Sequence, residues 1–156
     1  MGNLRSWLFE RQLGEQIEHL HVGIAGRRDA EGRIETAPGR EGHVFFGPYL
    51  AVPSGRYRVT VRMQTTPGVR YRDASGAVLE AVAGRAILAN QPFDRDSMKS
   101  GVLMMEFAVS PVQAERGEAL EIRVYSPTNF AATFTSVDLR ALRTNSPQTP
   151  PVRVER

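Results

Sequence analysis

One segment constrains the fold of this chain more than any other. Between Arg56 and Thr65, basic and polar residues alternate with four apolar ones, Tyr57, Val59, Val61 and Met63. A period of two is the pattern of a β-strand with one buried face and one solvated face. The segment is therefore predicted to be a long strand whose outer face carries Arg56, Arg58 and Arg62.

The same alternation recurs along the chain, between segments rich in turn residues. In Val102–Val109 four apolar residues share one face, and in Ala119–Tyr125 the pattern directs Glu121, Arg123 and Tyr125 outward. Short strands separated by Gly and Pro predict two packed antiparallel sheets with about eight strands. The other predicted strands are Arg33–Thr36, which is weak, His43–Phe46, Tyr49–Val52, Val69–Arg72, Ala77–Val82, Arg85–Ala89 and Thr133–Leu142. Three polar segments are predicted to be loops or turns: Gly26–Gly42, Gln91–Lys99 and Pro111–Gly117.

The length of 156 residues suits one domain with its own core. Residues 1–20 are predicted to be a short helix or an extended segment packed on the sandwich, and residues 21–143 to be the sandwich itself. Residues 144–156, rich in proline, are predicted to be a disordered tail. No membrane span is expected, because no run of about 18 apolar residues occurs. The N-terminus carries charges where a signal peptide has its apolar core, which predicts a cytoplasmic location or attachment to a larger protein.

Catalytic motifs are sparse in this sequence. There is no cysteine, so disulfides and thiolate metal sites are excluded, and no Gly-x-Ser-x-Gly motif occurs. Glu80, Glu106 and Glu121 lie in predicted strands and are interpreted as solvated residues rather than as an acid–base pair. The chain is therefore predicted to be non-catalytic.

Two sets of residues could form a metal site, and neither is favoured. His19 and His21 would point the same way on a strand and could bind zinc with His43 or Glu41. The segment Asp94–Ser97 offers oxygen ligands to a structural calcium ion, although Arg95 opposes it. Since neither set has a diagnostic spacing, no cofactor is predicted.

Three segments together resemble a known class of domain. They are GHVFFGPYLAVPSGRYRVTVRM from Gly42, ALEIRVYS from Ala119 and TSVDLRAL from Thr135. This pattern of core and turn residues resembles the galactose-binding-like jelly-roll modules. The resemblance implies an all-β, jelly-roll β-sandwich of about eight antiparallel strands. It also implies a carbohydrate-binding module, of a kind found attached to carbohydrate-active enzymes.

A second, weaker resemblance is to the cupins. The segment Gly47–Gly55 has the spacing G-x5-P-x-G of a cupin motif. Cupins place a metal-binding histidine three residues after the last glycine, where this chain has Arg58. A cupin-like metal-dependent sugar enzyme is therefore the less favoured alternative.

Arginine and tyrosine residues on the outer faces of strands are the predicted ligand-binding groups. Of the 20 Lys and Arg residues only Lys99 is lysine, and the net charge is +3. If the strands that carry these arginine and tyrosine residues are neighbours, the residues form a cationic patch suited to an acidic polysaccharide. Arg would donate hydrogen bonds to the ligand, and Tyr would stack on it. Loop residues Asn90, Gln91 and Phe130 are further candidates. The predicted ligand-binding residues are Arg56, Arg58, Arg62, Tyr71, Arg72, Arg123, Tyr125 and Asn129.

Two other kinds of partner remain as alternatives. Nucleic acid is less favoured, because binding of single strands needs more aromatic platforms than Tyr71 and Tyr125 provide. A structural role is the main alternative: a sheet face or the apolar N-terminal segment would pack against a partner enzyme or, in self-association, against a second copy.

Overall fold

The computed structural model describes residues 13–68, 70 and 74–142, and their dominant feature is two antiparallel sheets of six strands each. Two short helices, α1 (Arg95–Ser100) and α2 (Pro111–Glu115), and a 3-10 turn at Ile17–His19 accompany the sheets. The predicted all-β sandwich is thus confirmed. The strands are β1 Gly14–Glu15, β2 His21–Val22, β3 Gly26–Arg28, β4 Ile34–Thr36, β5 Gly42–Phe46, β6 Pro48–Ala51, β7 Gly55–Thr65, β8 Val78–Ala83, β9 Ala86–Pro92, β10 Val102–Val109, β11 Ala119–Ser126 and β12 Ala132–Leu142.

Eight of these strands have the connectivity of a jelly roll. Sheet A has the order β10-β7-β12-β4-β3, with β1 also paired to β12. Sheet B has the order β2-β5-β11-β8-β9, with β6 also paired to β11. The series β4-β12-β7-β10 and β5-β11-β8-β9 are the two four-stranded sheets of a jelly roll, so β1, β2, β3 and β6 are short additions.

The core lies between the sheets and is built from the alternating residues. The predicted inward residues of β7, β10 and β11 are all buried, as are Val137 and Leu139 of β12. The alternation of Val137 and Leu139 predicts that Ala141 also faces the core, but it is exposed, because it lies near the end of β12. Phe45 of sheet B meets Phe134 of sheet A edge to face, with ring centroids 5.3 Å apart. Removal of this apolar surface from water is the main stabilising contribution.

Local hydrogen bonds create elements that hydrophobic alternation does not reveal. The weak predicted strand Arg33–Thr36 is confirmed as β4, whereas β3 lies within the predicted loop Gly26–Gly42 and was not predicted. The two strands form a hairpin because the Asp29 carboxylate accepts hydrogen bonds from the backbone N–H groups of Glu31 and Arg33, both at 2.9 Å. The predicted loop Gln91–Lys99 is also wrong, since β9 continues to Pro92 and helix α1 follows.

Both helices begin at a capping box. Asp94 accepts from the backbone N–H of Ser97 at 2.8 Å, and the Ser97 hydroxyl accepts from the backbone N–H of Asp94. The predicted turn Pro111–Gly117 contains α2, where Ser110 and Gln113 exchange the same pair of bonds. No helix in residues 13–68 or 74–142 is long and apolar enough to cross a membrane.

Candidate functional site

The predicted ligand-binding residues divide between the two faces of the sandwich. Arg56, Arg58 and Arg62 lie on β7 of sheet A, whereas Arg123 and Tyr125 lie on β11 of sheet B. Because the two strands are not neighbours, the condition for a single cationic patch does not hold. Tyr71 and Arg72 lie outside the described residues, as do most of the predicted strand Val69–Arg72, residues 1–12 and the tail 144–156.

Asn129 lies at a third place, at one end of the sandwich. It is exposed beside a cleft of about 360 Å³, formed by the loops after β4, β7 and β11. Arg27 and Glu35, joined by a bond of 2.6 Å, lie on one side of this cleft. Phe130 also lines it but is a core residue, only 3% exposed and packed on Phe93. The cleft thus offers polar groups without an exposed aromatic ring among its lining residues.

The outer face of sheet A is basic. Six residues line a groove there of about 380 Å³, hereafter the arginine groove: Arg58, Thr60, Arg62, Ser136, Asp138 and Arg140. Glu106 of β10 binds Arg58 at 2.8 Å and Arg56 at 3.1 Å, and these two arginines lower the pKa of its carboxyl. Asp138 binds Arg140 at 2.8 Å.

The outer face of sheet B combines aromatic and charged side chains. We call this surface the aromatic face: His21, His43, Phe46, Tyr49, Glu80, Glu121, Arg123 and Tyr125. The rings of His21 and Phe46 stack with centroids 5.5 Å apart, and Tyr49 lies 5.7 Å from His21. His21 and Tyr49 are exposed, so the rings of this cluster are open to solvent.

The turn between β5 and β6 holds these rings together. A Cβ at Gly47 would lie 3.0 Å from Cδ2 of His21, so glycine leaves room for the imidazole to approach the backbone. Tyr49 has a φ of 70°, in the left-handed region that residues with a Cβ rarely adopt. That conformation is stored strain of a kind that clusters at functional sites. It sets the direction in which the exposed Tyr49 ring leaves the chain.

Charged groups beside the rings are held in a fixed arrangement. Nε of Arg123 donates to Glu80 at 2.8 Å, and one of its terminal nitrogens lies 4.0 Å from Glu121. All three side chains are 25% exposed or less. Partial burial with a charge-assisted bond orients the guanidinium of Arg123 while its other N–H groups remain able to donate. The hydroxyl of Tyr49 lies 3.5 Å from Glu121. Desolvation and the Glu121 charge raise the pKa of Tyr49.

Tyr125 extends the same surface toward the loop before β5. Its hydroxyl donates a short hydrogen bond to Glu41, and this bond raises the pKa of Tyr125. The ring of His43 meets that of Tyr125 edge-on at 5.8 Å. Asn90, predicted to lie in a loop with Gln91, is instead in β9 opposite Glu80, and is therefore on the aromatic face. Among the predicted residues, Arg123, Tyr125 and Asn90 are thus brought together.

Neither metal site considered from the sequence is assembled. His19 lies in the 3-10 turn rather than on a strand with His21. In residues 13–68 and 74–142 no three His, Asp or Glu side chains converge in a way that could hold a metal ion. Asp94 uses its carboxylate to cap α1, and its bonds from Ser97 lower its pKa.

Comparison with known proteins leaves the sequence without a named family. No protein-family model matches this chain, and no curated protein matches it either. The resemblance to galactose-binding-like modules therefore stays a prediction.

Sequence reasoning missed His21, Phe46, Tyr49 and Glu80 as members of one site. The signal that was present is the concentration of rings in HVFFGPY, which was interpreted as core and turn. The pairing of β2 with β5 and of β8 with β11 is what joins these residues, and neither pairing is visible in the sequence.

Proposed function

We propose that this chain is a non-catalytic carbohydrate-binding module whose ligand lies on the aromatic face. One observation carries the proposal: the exposed Tyr49 and the oriented Arg123 share a neighbour. The Tyr49 hydroxyl lies 3.5 Å from Glu121, and Arg123, bound to Glu80, lies 4.0 Å from the same carboxylate. Sugars present C–H surfaces to aromatic rings and pairs of hydroxyl groups to planar or charged hydrogen-bonding groups. The aromatic face offers both kinds of contact, with its polar groups oriented before the ligand binds.

Preorganisation supports binding here, since ordering of flexible side chains reduces affinity. Arg123 is already held by Glu80. The Tyr49 ring lies 5.7 Å from that of His21, and its hydroxyl lies 3.5 Å from Glu121. Asn90, opposite Glu80, adds an amide at the margin. These three groups supply the hydrogen bonds and stacking expected from the sequence.

The charge of the surface favours a neutral sugar over an acidic one. Glu80 and Glu121 of the aromatic face, with Glu41 bound to Tyr125 beside it, contribute three carboxylates, whereas Arg123 is the one arginine in the aromatic face as defined. An anionic ligand at this place would meet like charges, which disfavours its binding. The carboxylates also accept hydrogen bonds from sugar hydroxyl groups.

A glycan array of neutral oligosaccharides, followed by calorimetry with the best ligand, tests the proposal. We expect Tyr49→Ala and Arg123→Lys to weaken binding at least about tenfold, since each removes one of the two required contacts. Arg85→Gln is the matched control, because Arg85 is an exposed arginine in the turn between β8 and β9. Absence of binding to every neutral glycan, or equal losses in Arg85→Gln, would refute it.

Assembly is the second candidate function, and one feature of sheet A favours it. β10 is an edge strand whose outward residues include Met104, 57% exposed, and Ala108. A long edge strand with few charges can pair with a second copy or with a partner enzyme. Light scattering over a range of concentrations tests this role. A monomer at all concentrations would exclude self-association, and a dimer broken by Met104→Lys would support it.

A further inference from the structure

The arginine groove on sheet A places like charges opposite each other, an arrangement that does not stabilise the fold. Arg58 of β7 and Arg140 of β12 are directly opposite in the strand register, on the same outward face. Like charges directly opposite across an antiparallel pair are destabilising. One step along the strands, Thr60 faces Asp138, and beyond it Arg62 faces Ser136.

The carboxylates nearby do not balance these arginines. Glu106 forms ion pairs with both Arg56 and Arg58, and Asp138 forms one with Arg140. Glu15 of β1 is opposite Asp138 in the strand register, but its carboxylate accepts from Ser136 and from backbone N–H groups. Within residues 13–68, 70 and 74–142, Arg62 has no ion-pair partner, and it is exposed.

The groove runs along two neighbouring strands, which spaces its cations regularly. Outward residues recur every second position, about 6.6 Å apart along a strand, so Arg58 and Arg62 are separated by roughly 13 Å. The hydroxyl of Thr60 lies between them and can donate a hydrogen bond. A ligand that matches this surface is extended and carries anionic groups at intervals.

We propose that the arginine groove binds an acidic polysaccharide, a chain carrying sulfate or carboxylate groups, independently of the ligand on the aromatic face. Guanidinium groups bind the oxygens of sulfate and carboxylate in a planar, bidentate manner. Single-stranded nucleic acid also carries regular charges, but its binding sites add aromatic rings on which bases stack. None of the six residues that line the groove is aromatic.

Calorimetry at low salt with dextran sulfate and with polygalacturonate tests this inference, with neutral dextran as the blank. We expect Arg62→Gln to weaken binding of at least one of the two polyanions about fivefold to tenfold, the effect of one charge-assisted contact. It should also reduce the salt dependence of binding. Arg85→Gln, which removes an arginine near sheet B, should change the affinity less than about twofold. Since Arg62 is exposed and has no ion pair within the described ranges, its loss should leave the melting temperature unchanged.

Three results would overturn the inference: no binding of either polyanion, equal effects of Arg62→Gln and Arg85→Gln, or tighter binding of oligothymidylate than of both polyanions.

The proposals for the two faces can be refuted independently of each other. Tyr49→Ala should leave binding of the polyanion intact, and Arg62→Gln should leave binding of a neutral glycan intact. A variant on one face that abolished both would contradict two independent sites.

Discussion

The backbone of Tyr49 allows a sharp test of the geometry on which the aromatic face depends. Tyr49→Gly and Tyr49→Ala both remove the ring, so the loss of its contacts cancels when the two variants are compared. A left-handed conformation costs an L-residue about 1–2 kcal/mol, and glycine avoids this cost. Glycine also loses more entropy on folding, which offsets roughly 0.5–1 kcal/mol. With the observed φ of 70°, Tyr49→Gly should be more stable than Tyr49→Ala by about 0.5–1 kcal/mol.

A control position should give the opposite order. Met104 is exposed in the extended strand β10, where glycine has no conformational advantage. Met104→Ala should therefore be more stable than Met104→Gly by about 0.5–1 kcal/mol. Urea unfolding of the four variants, followed by circular dichroism, measures both differences under one set of conditions. If Tyr49→Ala proved as stable as Tyr49→Gly, the strained turn would not exist as described, and the ring would lack its fixed direction.

Four further predictions concern stability. Tyr57 donates to the carbonyl of Pro53 at 2.5 Å, so Tyr57→Phe should lower the free energy of unfolding at pH 7 by about 1 kcal/mol, and an unchanged value would contradict this role. Burial raises the pKa of Tyr57 to about 12, so tyrosine ionises first in the unfolded state. Wild type should therefore lose about 2 kcal/mol of stability between pH 10 and pH 12. Tyr57→Phe should lose less over that range in urea titrations, and equal losses would refute the assignment. Bonds from Ser97 lower the pKa of Asp94, so its contribution is present above pH 3.8 and is lost as the pH falls through the lowered value. Asp94→Asn keeps an N-cap acceptor, and its melting temperature should fall less steeply than that of wild type as the pH is lowered. An equal fall in both proteins would show that the Asp94 carboxylate does not cause the acid dependence. A Cβ at Gly23 would lie 2.1 Å from the carbonyl oxygen of His43. Gly23→Ala should therefore lower the free energy of unfolding by roughly 2–4 kcal/mol. A melting temperature close to that of wild type would argue against this close approach.

The sandwich could be predicted because its strands separate two environments. In β7, β10 and β11 successive residues face the core and the solvent in turn. Apolar and polar residues therefore alternate along these segments, and the alternation can be recognised in the sequence. Strand β3 and helix α1 were not predicted, because the β3–β4 turn and the start of α1 depend on local hydrogen bonds to single polar side chains, Asp29 and Asp94.

The site was predictable only in part, because it depends on which strands become neighbours. Arg123 and Tyr125 were correctly placed on an outward face, but their partners come from distant positions in the chain. Glu80 joins through β8, and His21 through β2. The arginines of β7 would belong to the same patch only if β7 and β11 were neighbours, and the jelly-roll order places these two strands in different sheets.

An NMR titration can locate a neutral sugar bound to the aromatic face residue by residue. Wild-type protein labelled with 15N would be titrated with the glycan that ranks first on the array. We expect the largest chemical-shift changes at the backbone amides of Phe46, Gly47 and Tyr49 and at the side-chain Nε–H of Arg123. Changes concentrated instead at Arg58 and Arg62 of β7 or at Asn129, or no changes at saturating glycan, would refute binding on the aromatic face.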